Sequence, residues 1–301
     1  MTEAYHSGEI AIQERVGVRD EALLNGRVIA REIPIAARPF VRQQATVALG
    51  WTDGAGNPWA SLVVAEPGFA SSNEAGTAVT LELPEPSVAL MTALDGGRAA
   101  SALGLVFIDL STRRRLRANG MVTRAIAGVL RLDVEQAYPN CPKYIQRRER
   151  VEAGTPQSGP AVSTGEGVPD DLSAWLARTD TAFVASAGPG GSIDCSHRGG
   201  RAGFMHLDGQ EVHVPDYAGN SMFCTLGNML VEPRAGLALV DFTTRRQLHL
   251  TGDVTLEVSS SHDGETGRAW RLRPRAWAVS PLPAAVAWRL VDESPFNPPI
   301  A

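Results

Sequence analysis

From Ala45 onward the chain alternates short apolar runs with turn-forming residues. Ala45–Trp51 is mostly apolar, Asp53-Gly54-Ala55-Gly56-Asn57 closes it, and Pro58–Val64 is apolar again. Asp-Gly between two such runs is a hairpin signal, because glycine reaches the left-handed backbone a tight turn needs. The same grammar returns at Ala182–Ala187, Gly188-Pro189-Gly190-Gly191 and Ile193–His197, and Asp208-Gly209 separates Gly203–Leu207 from Glu211–Pro215. Strand and turn signals recurring about every 8 to 12 residues predict antiparallel barrels rather than a doubly wound parallel sheet. Helical pattern is confined to short stretches: Glu9–Gln13, Asp20–Leu24, and Asp170–Leu176 with acidic residues in its first turn. Residues 31–40, REIPIAARPF, predict an extended, proline-interrupted segment. The expected class is mainly β with short helices.

The pattern occurs twice. Residues 104–123 (GLVFIDLSTRRRLRANGMVT) and 236–255 (GLALVDFTTRRQLHLTGDVT) are identical at half their positions, and most differences are conservative. Upstream, Ala60-Ser61 and Gly68-Phe69 match Cys195-Ser196 and Gly203-Phe204. One barrel-like unit has been duplicated. The Gly-, Pro-, Ser- and Thr-rich stretch 151–171 predicts a linker between an N-terminal unit (1–150) and a C-terminal unit (172–301). The proline-punctuated tail with Trp277 and Trp288 is expected to pack back over a barrel.

The 301 residues accommodate two domains of roughly 130 residues each. An apolar content of 44% and a charged content of 20% describe a soluble globular chain with a core. A net charge of −5 gives no basic face for phosphate-backbone binding, so a nucleic-acid partner is not expected. The start lacks a basic stretch followed by an apolar one, and no apolar run is long enough to span a bilayer; a cytoplasmic protein with no membrane partner is expected. Cys141, Cys195 and Cys224 are odd in number and widely spaced, which supports neither a disulfide framework nor a zinc knuckle. His206 and His213 sit on neighbouring strands without a third ligand at metal spacing, so no metal is expected.

Candidate chemistry lies where the two copies differ. Asp194-Cys195-Ser196-His197-Arg198-Gly199-Gly200 places a cation, a hydroxyl and glycines at a strand end, where several charge-assisted hydrogen bonds to a phosphate are possible. Val214–Asn228 runs from a strand through a turn to a helix start, with Asn220 or Ser221 as the expected N-cap, so free N–H groups would face an anion. The first copy has Leu62-Val63-Val64-Ala65 in place of His197–Gly200, and Glu82-Leu83-Pro84-Glu85-Pro86 near the position of the second segment. Acidic and proline residues cannot bind an anion that way, so one ligand per chain is expected. Gly188–Gly191 is followed by a strand, which makes it a hairpin turn and not a dinucleotide loop. Ser111–Arg115 and Thr243–Arg246 predict charged strand connections.

Together, SHRGGRAGF (196–204), PDYAGNSMFCTLGN (215–228) and VDFTTRRQLHLTGDV (240–254) resemble the flavin-binding half of the pyridoxamine 5'-phosphate oxidase-like family. GWTDGAGNPWASLVVAEPGF (50–69) and NCPKYIQRR (140–148) are similar to elements of its bacterial two-barrel members, so the resemblance spans essentially the whole chain. It implies tandem split β-barrels with FMN in the seam, the phosphate held by one barrel and the ring partly covered by the other. The phosphate site would comprise Ser196, His197, Arg198 and Gly199 from the strand, and Gly219, Asn220, Ser221 and Thr225 from the turn and helix. Val214 and Pro215 would pass the ring through their backbone, and Trp59, Ser61, Lys143, Tyr144 and Gln146 would come from the opposing barrel. Tyr144, Lys143 and His197 are the candidate proton donors or anion stabilisers.

The sequence departs from true pyridoxamine phosphate oxidases. Arg271-Leu272-Arg273-Pro274-Arg275 lacks the histidine of their Arg-x-His-x-Arg stretch, and Asn220-Ser221 replaces their Arg-Lys pair, so vitamin B6 oxidation is not implied. The resemblance implies an FMN-dependent oxidoreductase acting on a small molecule with an electron donor or acceptor, with a homodimer as a possible assembly. Two other classes stay open: a haem-binding or haem-degrading split barrel, and a non-catalytic flavin-binding module. A deazaflavin in place of FMN is a third alternative.

Overall fold

The computed structural model describes residues 4–95, 101–152, 162–258, 266–282 and 286–299. The first copy is led in by α1 (Ser7–Val16), α2 (Arg19–Asn25) and α3 (Arg38–Gln43). It continues with β1 (Thr46–Thr52), β2 (Pro58–Val64), β3 (Ala70–Ser72), β4 (Ala78–Glu82), α4 (Glu85–Asp95), β5 (Ala102–Asp109), β6 (Arg114–Ile126), β7 (Val129–Pro139) and β8 (Arg147–Glu152). The second copy comprises β9 (Ser163–Glu166), α5 (Leu172–Arg178), β10 (Thr181–Ala187), β11 (Ile193–Gly199), β12 (His206–Asp208) and β13 (Glu211–Pro215). It ends with α6 (Cys224–Val231), β14 (Arg234–Asp241), β15 (Arg246–Val258), β16 (Arg268–Pro281) and β17 (Val286–Asp292).

The first sheet has the order β2-β1-β5-β6-β7-β4-β3, and the second β11-β10-β14-β15-β16-β13-β12. Strand for strand these are one topology, with α4 and α6 inserted at the same point. The duplication seen in the sequence is therefore a duplication of fold, two antiparallel split β-barrels in tandem. The strand connections repeat as well: Asp109 caps the turn after β5 through the N–H groups of Ser111 and Thr112, and Asp241 does the same for Thr243 and Thr244.

Strands β1 and β2 are almost wholly buried along their length, and alternation explains why. Successive side chains point to opposite faces. Val47, Leu49 and Trp51 enter the core of their own barrel, while Ala48 joins a third cluster with Leu62, Phe183, Ala185 and Ala238 that belongs to both barrels. Each fully buried Val, Leu or Phe contributes about 1.5–3 kcal/mol, so this shared cluster holds the copies together.

Two glycines set the depth of that seam. A Cβ on Gly104 would stand 2.5 Å from the Cys195 backbone nitrogen, and one on Gly236 would stand 2.6 Å from the Pro58 carbonyl oxygen. They are equivalent positions, at the start of β5 and of β14. The missing side chain lets each copy's edge strand lie directly on the other copy's sheet.

The structure refines three expectations. Arg38–Phe40 belongs to α3, because Pro39 occupies the first turn, where its missing N–H is not needed. Within the expected linker, Ser163–Glu166 pairs with Val279–Ala276 of β16, while residues 153–161 lie outside the described residues. The tail returns as β17, which pairs with β8 of the first copy and sets Trp288 edge-on to Phe242 with ring centroids 5.4 Å apart.

Candidate functional site

A cavity of about 460 Å³ opens where the two copies meet. The first copy contributes Arg115 and Arg117 of β6, Tyr138 of β7 and the segment Asn140–Tyr144; the second contributes Ser196–Gly199 of β11 and the loop from Pro215 into α6. Arg115 and Arg117 share a face of β6 because they are two residues apart. Arg117 donates through Nη1 to the Tyr138 hydroxyl at 2.9 Å and through Nη2 to Ser196 Oγ, and its Nη1 is 3.5 Å from Asp194 Oδ2. Thr225 Oγ donates to Ser196 Oγ at 3.0 Å, so one chain of contacts ties β6, β11 and α6 together.

The loop between β13 and α6 is held in an unusual shape. Ser221 and Phe223 both have φ of 59°, and Tyr144 across the cavity has φ of 65°. Left-handed backbone at non-glycine residues is costly and concentrates at functional sites. The loop is fixed from the first copy and its lead-in helices: Asn25 Nδ2 donates to the Asn220 carbonyl at 2.7 Å, Gln13 Nε2 to the Met222 carbonyl at 2.9 Å, and the Tyr144 hydroxyl to the Ala218 carbonyl at 2.9 Å. Helix α6 starts later than the expected N-cap at Asn220 or Ser221. Phe223 is the cap residue, with no side-chain hydrogen bond, and Asn220 Oδ1 instead accepts the Met222 N–H. The helix start at Cys224, Thr225 and Leu226 still lines the cavity, so unspent N–H groups and the positive end of the helix face it.

The electrostatic character is cationic. Arg115, Arg117, Lys143, Arg198 and Arg268 line the cavity against Glu21 and Asp216. Asp216 is engaged by Arg268 at 3.0 Å and lies 3.7 Å from Arg198. Burial, with Arg117 adding to it, pulls the Arg115 guanidinium down to about 10, still fully charged near neutrality. Burial followed by the neighbouring Arg115 and Arg198 pushes His197 well below the usual imidazole range, so its ring is neutral. Arg117 Nε and Arg198 Nε are enclosed without a partner, so these guanidiniums carry more donors than the protein's own acceptors use.

The related position in the duplicated fold is sealed. Gln247 and His249 on β15 stand where Arg115 and Arg117 stand on β6. Gln247 exchanges two hydrogen bonds with the backbone of Leu62, at 2.7 and 2.9 Å, and His249 Nδ1 donates to the Ala60 carbonyl at 2.7 Å. These side chains fill the space that the guanidiniums leave open.

Of the residues the sequence nominates, Ser196, His197, Arg198, Gly199, Pro215, Gly219, Asn220, Ser221 and Thr225 line the cavity together with Lys143 and Tyr144. Four do not. Val214 is fully buried in its own barrel's core, because it points to the other face of β13 from Pro215. Trp59 and Ser61 lie on β2, the edge strand of the sealed position, and the Trp59 indole donates to Asp53 at 3.0 Å. Gln146 is buried beneath the rim, donating to the Gly200 carbonyl at 2.9 Å and accepting from the Ser294 N–H at 2.8 Å. The opposing wall is supplied by Arg115, Arg117 and Tyr138, of which sequence reasoning read Arg115 as part of a charged strand connection and did not single out the other two. Their signal lies in the repeat, at the two positions where arginine in one copy faces glutamine or histidine in the other.

Beside this cavity, Glu9, Asp194 and Cys224 bring ligand-type atoms within 4.8 Å of one another. Their oxygens are already used: Glu9 Oε2 accepts from the His6 N–H, and Asp194 accepts from Asn119 and Asn228. Burial, reinforced by Asp194, raises the Glu9 carboxyl above its ordinary range. Among the described residues no helix is long and apolar enough to cross a membrane.

No protein-family model matches this sequence, and no curated protein is significantly similar to it. Solved structures similar to parts of it include an F420 reductase, with 15% identity over 36% of this chain and 98% of its own, at a TM-score of 0.27. The haem storage protein HutZ from Vibrio cholerae is 12% identical over 36% of this chain and 91% of its own, at a TM-score of 0.28. A pyridoxamine 5'-phosphate oxidase-related, FMN-binding protein from Nostoc punctiforme is 18% identical over 31% of this chain and 47% of its own, at a TM-score of 0.24.

Proposed function

We propose that the chain binds one FMN in the seam between its barrels and acts as a flavin-dependent oxidoreductase. The observation that carries this reading is the convergence of Arg115 and Arg117 from one copy, Arg198 from the other and the start of α6 on one cavity of about 460 Å³. A cavity of roughly 300–1,000 Å³ is the ordinary size for a cofactor. Guanidiniums and free helix N–H groups together form a phosphate-binding donor set.

In this reading Arg117, Arg198, Ser196 and Thr225 hold the phosphate, with the Asn220-Ser221 turn closing over it. Lys143 and Tyr144 border the ring on the side of the first copy, and Pro215 borders it from the second. A bound flavin supplies hydride or single-electron transfer, while the protein orients it and sets its surroundings. Neutral His197 offers no general base, because burial among arginines opposes its protonation.

The test is the absorption spectrum of the purified protein, followed by denaturation and identification of the released chromophore. FMN bands and stoichiometric FMN release are expected. A Soret band, or release of a deazaflavin, overturns the assignment. Tight FMN binding without reduction by any nicotinamide or dithionite-fed donor would instead mark a binding module.

A further inference from the structure

A second chamber of about 780 Å³ lies beside the first, and Tyr144, Phe204, Tyr217 and Arg268 border both. Its walls are aromatic. Tyr217 stands 5.1 Å from the Tyr144 ring and 6.4 Å from the Phe204 ring, measured between centroids. Phe296, half exposed, forms the rim with Pro298 and Pro299, and His206 stacks on His213 at 4.7 Å along the far side.

The ionic groups of this chamber are already engaged. Among its described residues the formal charges are Arg268 and Glu257. Arg268 is bound to Asp216 at 3.0 Å, and Glu257 is bound to Arg271. Burial, then His206, keeps His213 below the usual imidazole range, so it adds no cation near neutrality. Arg115 and Arg117, which give the first cavity much of its positive field, do not line this one, and the Lys143 ammonium at its rim is engaged over the face of the Phe296 ring, 5.7 Å from the centroid. A charged ligand inside the chamber would be desolvated beside groups that are already engaged, which is costly. A flat ring gains offset-stacked and edge contacts with the aromatic walls, worth about 0.5–1.5 kcal/mol for each pair beyond the area buried.

We infer that the aromatic chamber is the site of the second substrate, and that this substrate is an uncharged, flat ring system of aromatic or quinonoid type. The inference rests on the flavin reading for the word substrate, and on the chamber alone for the ligand class. The walls shared by the two cavities place such a ring beside whatever occupies the first.

The experiment is a calorimetric titration of the FMN-saturated protein with 2-naphthol and with naphthalene-2-sulfonate. Naphthol is expected to bind at one site per chain, the sulfonate at least tenfold more weakly. Phe296→Ala should weaken naphthol at least threefold while FMN affinity and thermal unfolding stay at wild-type values, and Phe296→Trp should restore it. No naphthol binding, equal or tighter sulfonate binding, or indifference to both substitutions overturns the inference. FMN is titrated separately. A protein that takes naphthol but not FMN overturns the proposed function and leaves this chamber standing, and the reverse result does the opposite.

Discussion

Arg117 and His249 hold equivalent places in the two copies, and each reaches across the seam to the edge strand of the other barrel. Arg117 donates to the Ser196 hydroxyl on β11, whereas His249 donates to the Ala60 carbonyl on β2. A hydroxyl leaves the guanidinium with donors to spare, but the imidazole is consumed, because its Nε2 is also paired with Ser280 Oγ at 2.8 Å. The duplicated fold therefore builds one open, cationic cavity and one closed position from the same scaffold.

Arg117 is therefore expected to matter for cofactor binding as much as Arg198. Arg117→Gln removes a charged donor from a site that an anion must enter without its water. The loss of about 1.5–3 kcal/mol for such a hydrogen bond corresponds to roughly ten- to hundredfold weaker FMN. Arg198→Ala should fall in the same range. Fluorescence titration checks both, and affinities within twofold of wild type would remove the phosphate from this end of the cavity.

Acid should loosen the seam through His249. Burial pulls its imidazole down to about 4, with the Ala60 hydrogen bond acting against it. The folded value lies below that of an unfolded histidine, near 6.5. The unfolded chain then binds more protons between these limits, so this stabilisation is present above about pH 6.5 and is lost as the pH falls toward 4. Between pH 7 and pH 5 the linkage amounts to roughly 2 kcal/mol. Urea unfolding of wild type and His249→Gln at the two pH values measures it; parallel losses in both proteins would show that His249 is not the titrating group.

Gly104 should tolerate no side chain. A Cβ there would approach the Cys195 nitrogen to 2.5 Å and the Asp194 carbonyl carbon to 2.6 Å, and both are backbone atoms that cannot swing away. Overpacking costs about 1–3 kcal/mol even where some relaxation is possible. Gly104→Ala is expected to lower the midpoint of thermal unfolding and to weaken FMN, since Asp194 and Ser196 move with that strand. Gly17→Ala is the control: its Cβ meets nothing within 4 Å, so its effect comes from the positive φ alone.

Much of this architecture was legible in the sequence, and the reason is periodicity. The expected return strand Pro58–Val64 is β2 residue for residue, and Asp53–Asn57 is its turn. Hairpins announce themselves through local chemistry, and the repeat announced the second barrel. The lining of the cavity was legible on the side of the second copy, where Arg198 and Asn220 are conspicuous residues in conspicuous segments. On the side of the first copy it was not. Arg115 and Arg117 sit in a run of charged residues that looks like a solvated turn, and only the tertiary seam turns two of them inward. Trp59 and Ser61 misled for a related reason, because a pseudo-twofold axis carries β2 to the opposite position from β11. The N-cap failed because Asn220 satisfied the Met222 N–H within its own loop, a competition that local pattern does not resolve.

The two copies should have separable effects on the cofactor, and Tyr144 decides whether they do. Its hydroxyl spans the cavity to the Ala218 carbonyl, and its ring packs on Tyr217, so it braces the second copy's loop from the first copy's side. Burial and the nearby Asp216 raise its phenol above the ordinary range, which keeps it protonated and a donor throughout the neutral region. Tyr144→Phe loses one neutral, partly exposed hydrogen bond of about 1 kcal/mol. FMN affinity should therefore fall no more than severalfold, because the Arg117 and Arg198 contacts remain. Reoxidation rate and reduction potential should move further, since the loop bordering the ring gains freedom. Stopped-flow reoxidation and a spectroscopic potential measurement on the FMN-loaded variant provide the comparison. A variant that binds, reduces and reoxidises FMN as wild type does would make the Asn140–Tyr144 segment a structural wall, and would leave the reactivity of the ring to residues of the second copy alone.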